Sequence, residues 1–312
     1  MSRLGDQERE TVDEVWGKFA EGERSGEFFL EIEYVLEVYM KRHYPRGSDF
    51  LEAVTEAAGG GFERVLVLGS GNGALERAIA QRGLAQDILG IDVSERALAH
   101  SRRAAEEAGF EGIRYLAADL NRPPNGLGTF DLVFAPSSVH HVEELETYFD
   151  WVAASLRPGG LFAMQEYVGP SRNQWTPKQL EVANGVLPLI PEYFRRLPDG
   201  THKEDIWTPT PEEMIASDPS EAVRSAEILP LLEERFEVVR RVDNGGALAM
   251  LVLHGISRNF HHDESDSLAV LRFLLHVDDL LMREQVLESN FCDVIARPRS
   301  SPRRHPPDSK GF

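Results

Sequence analysis

The chain has 312 residues, of which 42% are apolar, and a formal net charge of −19. That length supports one large or two small domains with a real core, and the charge opposes a nucleic-acid partner, whose phosphates would be repelled over most of the surface. The single cysteine, Cys292, excludes an internal disulfide or a cysteine metal cluster. With no apolar run of membrane-spanning length and a polar start (MSRLGDQERE), the expectation is a cytoplasmic protein with no membrane partner.

In chain order, residues 28–39 fill most of a helix, and Ser48 is placed to cap a second one. Gly59, Gly60 and Gly61 separate this helical cover (1–60) from an apolar strand. That strand, over 65–68, reads as buried on both faces and runs into Gly69, Gly71 and Gly73 and then a helix over 75–80. Strand, glycine turn and helix together aim backbone N–H groups and a positive helix end at a polar or anionic cofactor.

Strand and helix then alternate. Strands are expected over 88–91, 113–117, 130–135 and 161–165, with helices over 94–108 and 142–156 between them; Pro158-Gly159-Gly160 turns the chain into the fifth strand. This is the pattern of a parallel sheet covered by helices, with ligands beyond the carboxyl ends of the strands. The core is therefore assigned to 61–168. A proline-rich stretch with a helix over 177–189 reads as a lid or substrate insertion (169–219). The remainder (220–298) holds a helix over 220–234, a strand over 236–242, helices over 247–256 and 267–284, and a last strand over 291–296. Residues 299–312 read as a disordered basic tail, with Arg297 just before it.

The loop Gly69-Ser70-Gly71-Asn72-Gly73-Ala74 satisfies two templates. As G-x-G-x-x-A with Asp92 downstream it is a dinucleotide fingerprint. As G-x-G-x-G it resembles motif I of the class I S-adenosylmethionine (SAM) methyltransferases. The segments GIDVSERALAHSRRAAEEAG, AADLNRPP, TFDLVFAPSSVHHVEEL and LRPGGLFAMQEY resemble that family's later motifs in order and spacing. No Tyr-x-x-x-Lys pair for hydride chemistry is present.

The resemblance implies an α/β, Rossmann-like doubly wound, mostly parallel seven-stranded sheet, with an N-terminal helical cover and helical insertions after strands five and six. It implies SAM as cofactor and S-adenosylhomocysteine as product. Gly69, Ser70, Gly71 and Gly73 would cradle it, Asp92 and Val93 would hold the ribose end, Asp119 and Leu120 the adenine, and Ala135 would lie beneath. One departure is Val67, where the family usually carries an acidic residue.

For chemistry, His140 and His141 follow the fourth strand and Glu166 the fifth, so adjacent strand ends bring together a histidine base, with His140 slightly favoured, and an orienting carboxylate. A helix-capping role for the histidine pair is the bland alternative. A metal on His140, His141, Glu143 or Glu144 is not adopted, because adjacent histidines should point differently. Tyr167, Trp175 and Trp207 are candidates to wall an acceptor pocket and Arg172 and Arg224 to hold an anionic acceptor, while Tyr34 and Tyr39 could cover the cofactor or be core residues. The preferred reaction is O-methylation of a small metabolite, natural product or sugar, by a chain that leaves room for a homodimer. An NAD(P)-dependent oxidoreductase and a non-catalytic SAM-binding protein are the alternatives.

Overall fold

The computed structural model describes residues 17–300 apart from 19, 23 and 24. Seven strands form one sheet: β1 (Arg64–Leu68), β2 (Asp87–Asp92), β3 (Ile113–Ala117), β4 (Phe130–Pro136), β5 (Leu156–Tyr167), β6 (Phe236–Gly245) and β7 (Phe291–Pro298). Their order is β3-β2-β1-β4-β5-β7-β6. Neighbours from β3 to β5 pair in parallel, whereas β7 runs antiparallel to both β5 and β6. The expected α/β, Rossmann-like, mostly parallel seven-stranded sheet is the architecture found.

Alternation along β1 explains why its run is wholly apolar. Leu66 and Leu68 face one core, with Tyr148, Phe149 and Val152 of the helix Leu145–Ser155. Val65 and Val67 face the other, with Phe50, Leu51 and Val54 of the helix Phe50–Ala58 and Ile79 of the helix Ala74–Gln81. A strand covered on both sides has no solvent face for a polar residue to occupy.

A third core lies off the sheet. Phe29, Ile32, Val35 and Tyr39 from the N-terminal segment pack with Ala183, Leu187 and Phe194 from the insertion after β5, and with Leu248, Leu271 and Leu274 from the insertion after β6. Three segments remote in sequence thus form one helical body. Asp278 ties it together, accepting from the Tyr39 hydroxyl and from the N–H groups of Gly246, Leu248 and Ala249. Tyr39 is therefore a core residue, and Tyr34 packs partly buried against the same core.

Several local expectations are corrected. The helix foreseen over 28–39 breaks at Ile32, giving a 3-10 turn Phe29–Glu31 and a helix Glu33–Lys41. Asp49, one residue after Ser48, is the cap of the second helix, accepting from Glu52 N–H. The Pro158-Gly159-Gly160 turn lies inside β5 as a bulge: the pairing with β4 passes from Phe130↔Leu156 to Leu132↔Leu161. The helix foreseen over 220–234 starts only at Ile228, which puts Pro230 in its first turn, where proline is tolerated. The insertion after β5 also holds a short helix, Pro211–Ser217, where the prolines suggest only connection. Arg297 belongs to β7 and donates to Ala57 O, and Arg299 donates to Glu233 O. Residues 301–312, like 1–16, lie outside the described residues, and with them most of the expected basic tail and the polar start.

Candidate active site

The glycine loop leaves β1 at Gly69, with φ of 77°. A Cβ there would meet Ser138 Cβ at 2.4 Å, so only glycine allows the loop from β1 to lie against the loop from β4. Gly69 N and Ser70 N both donate to Ile91 O, and Ser138 Oγ donates to Leu68 O. Gly73, at φ 70°, opens the helix Ala74–Gln81.

Asp92 closes the loop from the end of β2. Its Oδ2 accepts from Gly71 N at 2.8 Å and its Oδ1 from Ser94 N at 2.9 Å. Val93 beside it is exposed. Asp119 accepts from Asn121 N, and the Asn121 amide oxygen takes the N–H groups of Glu143 and Glu144, joining the loops after β3 and β4. Leu120 packs at the edge of the core under Leu66 and Leu68. Ala135 is wholly buried in β4, so only its main chain can serve a ligand.

Beneath the loop lies a carboxylate that sequence reasoning missed. Glu76, in the first turn of the helix Ala74–Gln81, is fully buried. It stands over Gly90, the β2 partner of Val67: a Cβ at Gly90 would lie 2.5 Å from Glu76 Oε1 and 2.3 Å from Ser70 Oγ. Ser70 faces the carboxylate without closing a well-formed hydrogen bond. Burial pushes the Glu76 carboxyl up to about 7, against the lowering effect of Ser70.

At the ends of β4 and β5 the structure assembles His140 and Glu166. Glu166 is buried at the end of β5, and all its contacts converge. Oε2 accepts from Ser138 N (2.9 Å) and Val139 N (2.6 Å), while Oε1 accepts from Tyr167 N (2.7 Å) and meets His140 Nδ1 at 2.5 Å. On the far side of the ring, His140 Nε2 lies 3.8 Å from Glu221 Oε2. Burial alone would lower the His140 pKa, but the charges of Glu166 and Glu221 outweigh it and hold it at about 9.

His141 does not diverge from its neighbour. The two rings lie 4.1 Å apart, and His141 Nδ1 sits 3.2 Å from Ser220 O and 3.1 Å from Ser220 Oγ. Burial, followed by the charge on His140, pushes the His141 pKa down. Donor atoms of His140, His141 and Glu221 all lie within 4.8 Å of one another; Glu143 and Glu144 are not part of the group. Glu221 also escapes sequence reasoning. Its only local sign is the Asp218-Ser220 turn, and its proximity to His140 comes from the main-chain bond of Val223 N to His140 O.

The expected substrate residues are largely engaged. Tyr167 is buried, gives its hydroxyl proton to Pro170 O and sets its ring edge-on to His140 at 6.2 Å. Arg172 donates to Glu221 O and its N–H to Ala222 O, so it fixes the Glu221 turn. Trp175 packs against the helical body, Trp207 is exposed, and Arg224 pairs with Glu146 and Glu227.

A family described as a methyltransferase domain matches residues 65–160. A ubiquinone biosynthesis O-methyltransferase of Rhizobium rhizogenes is 28% identical, covering 58% of this chain and 69% of the relative. A trans-aconitate 2-methyltransferase of Delftia acidovorans is 37% identical over 32% of this chain and 37% of the relative, and a ubiquinone biosynthesis O-methyltransferase of Paramagnetospirillum magneticum is 29% identical over 40% and 47%. The chain thus spans well under two thirds of these last two relatives. A SAM-dependent methyltransferase structure from Mesorhizobium loti aligns over 81% of this chain and 99% of that one, at 19% identity and a TM-score of 0.47. Residues 65–160, which carry the glycine loop and the Asp92 carboxylate, thus match a methyltransferase domain, as the resemblance to the class I SAM-dependent methyltransferases implies.

Proposed function

We propose that the protein transfers the methyl group of SAM to an oxygen of a small acceptor (a metabolite, natural product or sugar), with His140 as the base and Glu166 as its orienter. The observation that carries this reading is the placement of Glu166. One buried carboxylate holds three main-chain N–H groups and His140 Nδ1, so the ring is fixed with Nε2 turned away from the sheet toward Glu221. The O-methyltransferase names of relatives are consistent with an oxygen acceptor. Among the described residues no helix is long and apolar enough to cross a membrane, and with a charge of −19 the reading is a cytoplasmic enzyme acting on diffusible small molecules.

When bound, SAM supplies an electrophilic methyl on a sulfonium. We assign its cradle to Gly69, Ser70, Gly71 and Gly73, the ribose to Asp92 beside Val93, the adenine to Asp119 and Leu120, and underlying main chain to Ala135. Tyr167 forms a wall next to His140. Between two carboxylates the resting imidazole keeps a second proton on Nε2. Loss of that proton to solvent, which the two carboxylates delay to about pH 9, leaves a neutral ring, Nδ1–H on Glu166, whose Nε2 lone pair takes the acceptor's hydroxyl proton.

The test is turnover with labelled SAM on a panel of phenols, sugars and carboxylic acids. His140→Ala and Glu166→Gln should each lower kcat by about 10²–10⁴-fold while SAM affinity holds. Normal kcat in both would remove the base and its orienter from the mechanism.

A further inference from the structure

We propose that His140, His141 and Glu221 form a binding site for a divalent transition-metal ion of the zinc type, and that an ion held there blocks methyl transfer. The blocking part rests on His140 being the base; the binding part does not.

The donor set is the first argument. Two imidazoles and a carboxylate whose donor atoms lie within 4.8 Å of one another suit zinc, cobalt or nickel. Magnesium and calcium prefer oxygen throughout. Nitrogen donors on four-coordinate zinc sit at about 2.0–2.1 Å and hence about 3.4 Å from one another. His140 Nε2 and Glu221 Oε2, at 3.8 Å, are already near that spacing. Glu221 is partly exposed on a turn, whereas the His140 side chain is buried and held by Glu166.

The second argument is how the histidines are held. His140 gives Nδ1–H to Glu166, so Nε2 is its ligand nitrogen, and a bound ion takes the place of the proton that Nε2 carries at rest. His141 Nδ1 faces the Ser220 carbonyl, which can only accept, and the Ser220 hydroxyl, whose own proton goes to Asp218; Nδ1 therefore carries the proton, and Nε2 has the lone pair. A metal-binding histidine is commonly fixed in this way through its other nitrogen, by a carboxylate or a backbone carbonyl. Both supports are present here before any ion. Asp218 is not needed as a ligand, since its Oδ1 already accepts from Ser220 N and Ser220 Oγ.

An ion on His140 Nε2 occupies the lone pair that the acceptor's proton requires. Metal-loaded protein then binds SAM and leaves the acceptor unmethylated.

The experiment uses the untagged full-length protein, stripped with a chelator and dialysed. Cobalt(II) is followed by its visible absorption and zinc by calorimetry. One ion per chain is expected. Glu221→Gln and His141→Gln should each weaken zinc binding at least tenfold, Glu166→Gln should weaken it about 10–100-fold, and Glu143→Gln should match the unmodified chain. Calorimetric SAM binding by each variant reports that the cofactor fold is retained. No cobalt spectrum from the unmodified chain, or undiminished zinc affinity in both Glu221→Gln and His141→Gln, overturns the site. Zinc bound one to one with turnover unaffected overturns the blocking role. Zinc bound by a stripped protein that methylates nothing on the acceptor panel defeats the methyl-transfer reading while the metal site stands.

Discussion

Replacing Glu76 with glutamine should stabilise the protein, and increasingly so as pH rises. The carboxyl is fully buried under the glycine loop, has no ion-pair partner among the described residues, and is pushed from 4.5 up to about 7, first by burial. Because the folded pKa lies above the unfolded one, the fold holds the proton more tightly. The penalty for ionising the group is absent below about pH 4.5, grows through the interval, and is complete above about pH 7. At about 1.4 kcal/mol per tenfold difference in proton affinity, it reaches about 3 kcal/mol. Glutamine keeps the shape and never ionises. Denaturant unfolding of both proteins at pH 5, 6, 7 and 8 should show the stability gap opening from about 1 to about 3 kcal/mol. A constant gap across that range, or a glutamine variant less stable at pH 8, would refute the reasoning.

The same geometry fixes other outcomes. Asp92→Ala removes the acceptor for Gly71 N and the group assigned to the ribose, and calorimetry should show SAM affinity reduced about 30-fold, equivalent to about 2 kcal/mol. Gly69→Ala forces a Cβ into Ser138 at a positive φ, so thermal unfolding should move down and SAM binding should be lost; an unchanged melt would mean that the two loops can part freely. Asp278→Ala orphans three buried N–H groups and the Tyr39 hydroxyl, and should cost at least about 3 kcal/mol in denaturant unfolding, whereas Tyr39→Phe should cost only about 1 kcal/mol.

Much of this is legible from the sequence where local signals and the fold agree. The apolar run at Val65 with glycines directly after it admits few structures, and β1, the loop and the helix Ala74–Gln81 are where it puts them. His140 and Glu166 can be paired in advance because parallel strands β4 and β5 are neighbours, with His140 just after β4 and Glu166 in the last two residues of β5. The helix Pro211–Ser217 is easily missed although its capping box, Thr210 with Glu213, is written in the sequence; the prolines around it suggest a connection, yet Pro211 occupies the first helical turn, where it fits. Glu221 and Glu76 escape for a different reason. Each looks like a surface acid, and only long-range packing brings one beside His140 and the other under Gly90.

The strand order carries a consequence for biosynthesis. β5 bears Glu166, and its free edge is paired by β7, the last strand of the described chain, at Glu166↔Cys292. On the ribosome, β5 is complete more than a hundred residues before β7 is made, an interval of about 6–25 s at ordinary elongation rates. Throughout that time the growing chain exposes an open, apolar sheet edge next to the future reaction centre, and β6, made earlier, has nothing to join. Such an edge invites pairing with a neighbouring nascent chain. A ribosome that stalls before residue 291 therefore releases a product with its glycine loop already encoded and its sheet unfinished, a species for chaperones to hold or proteases to remove.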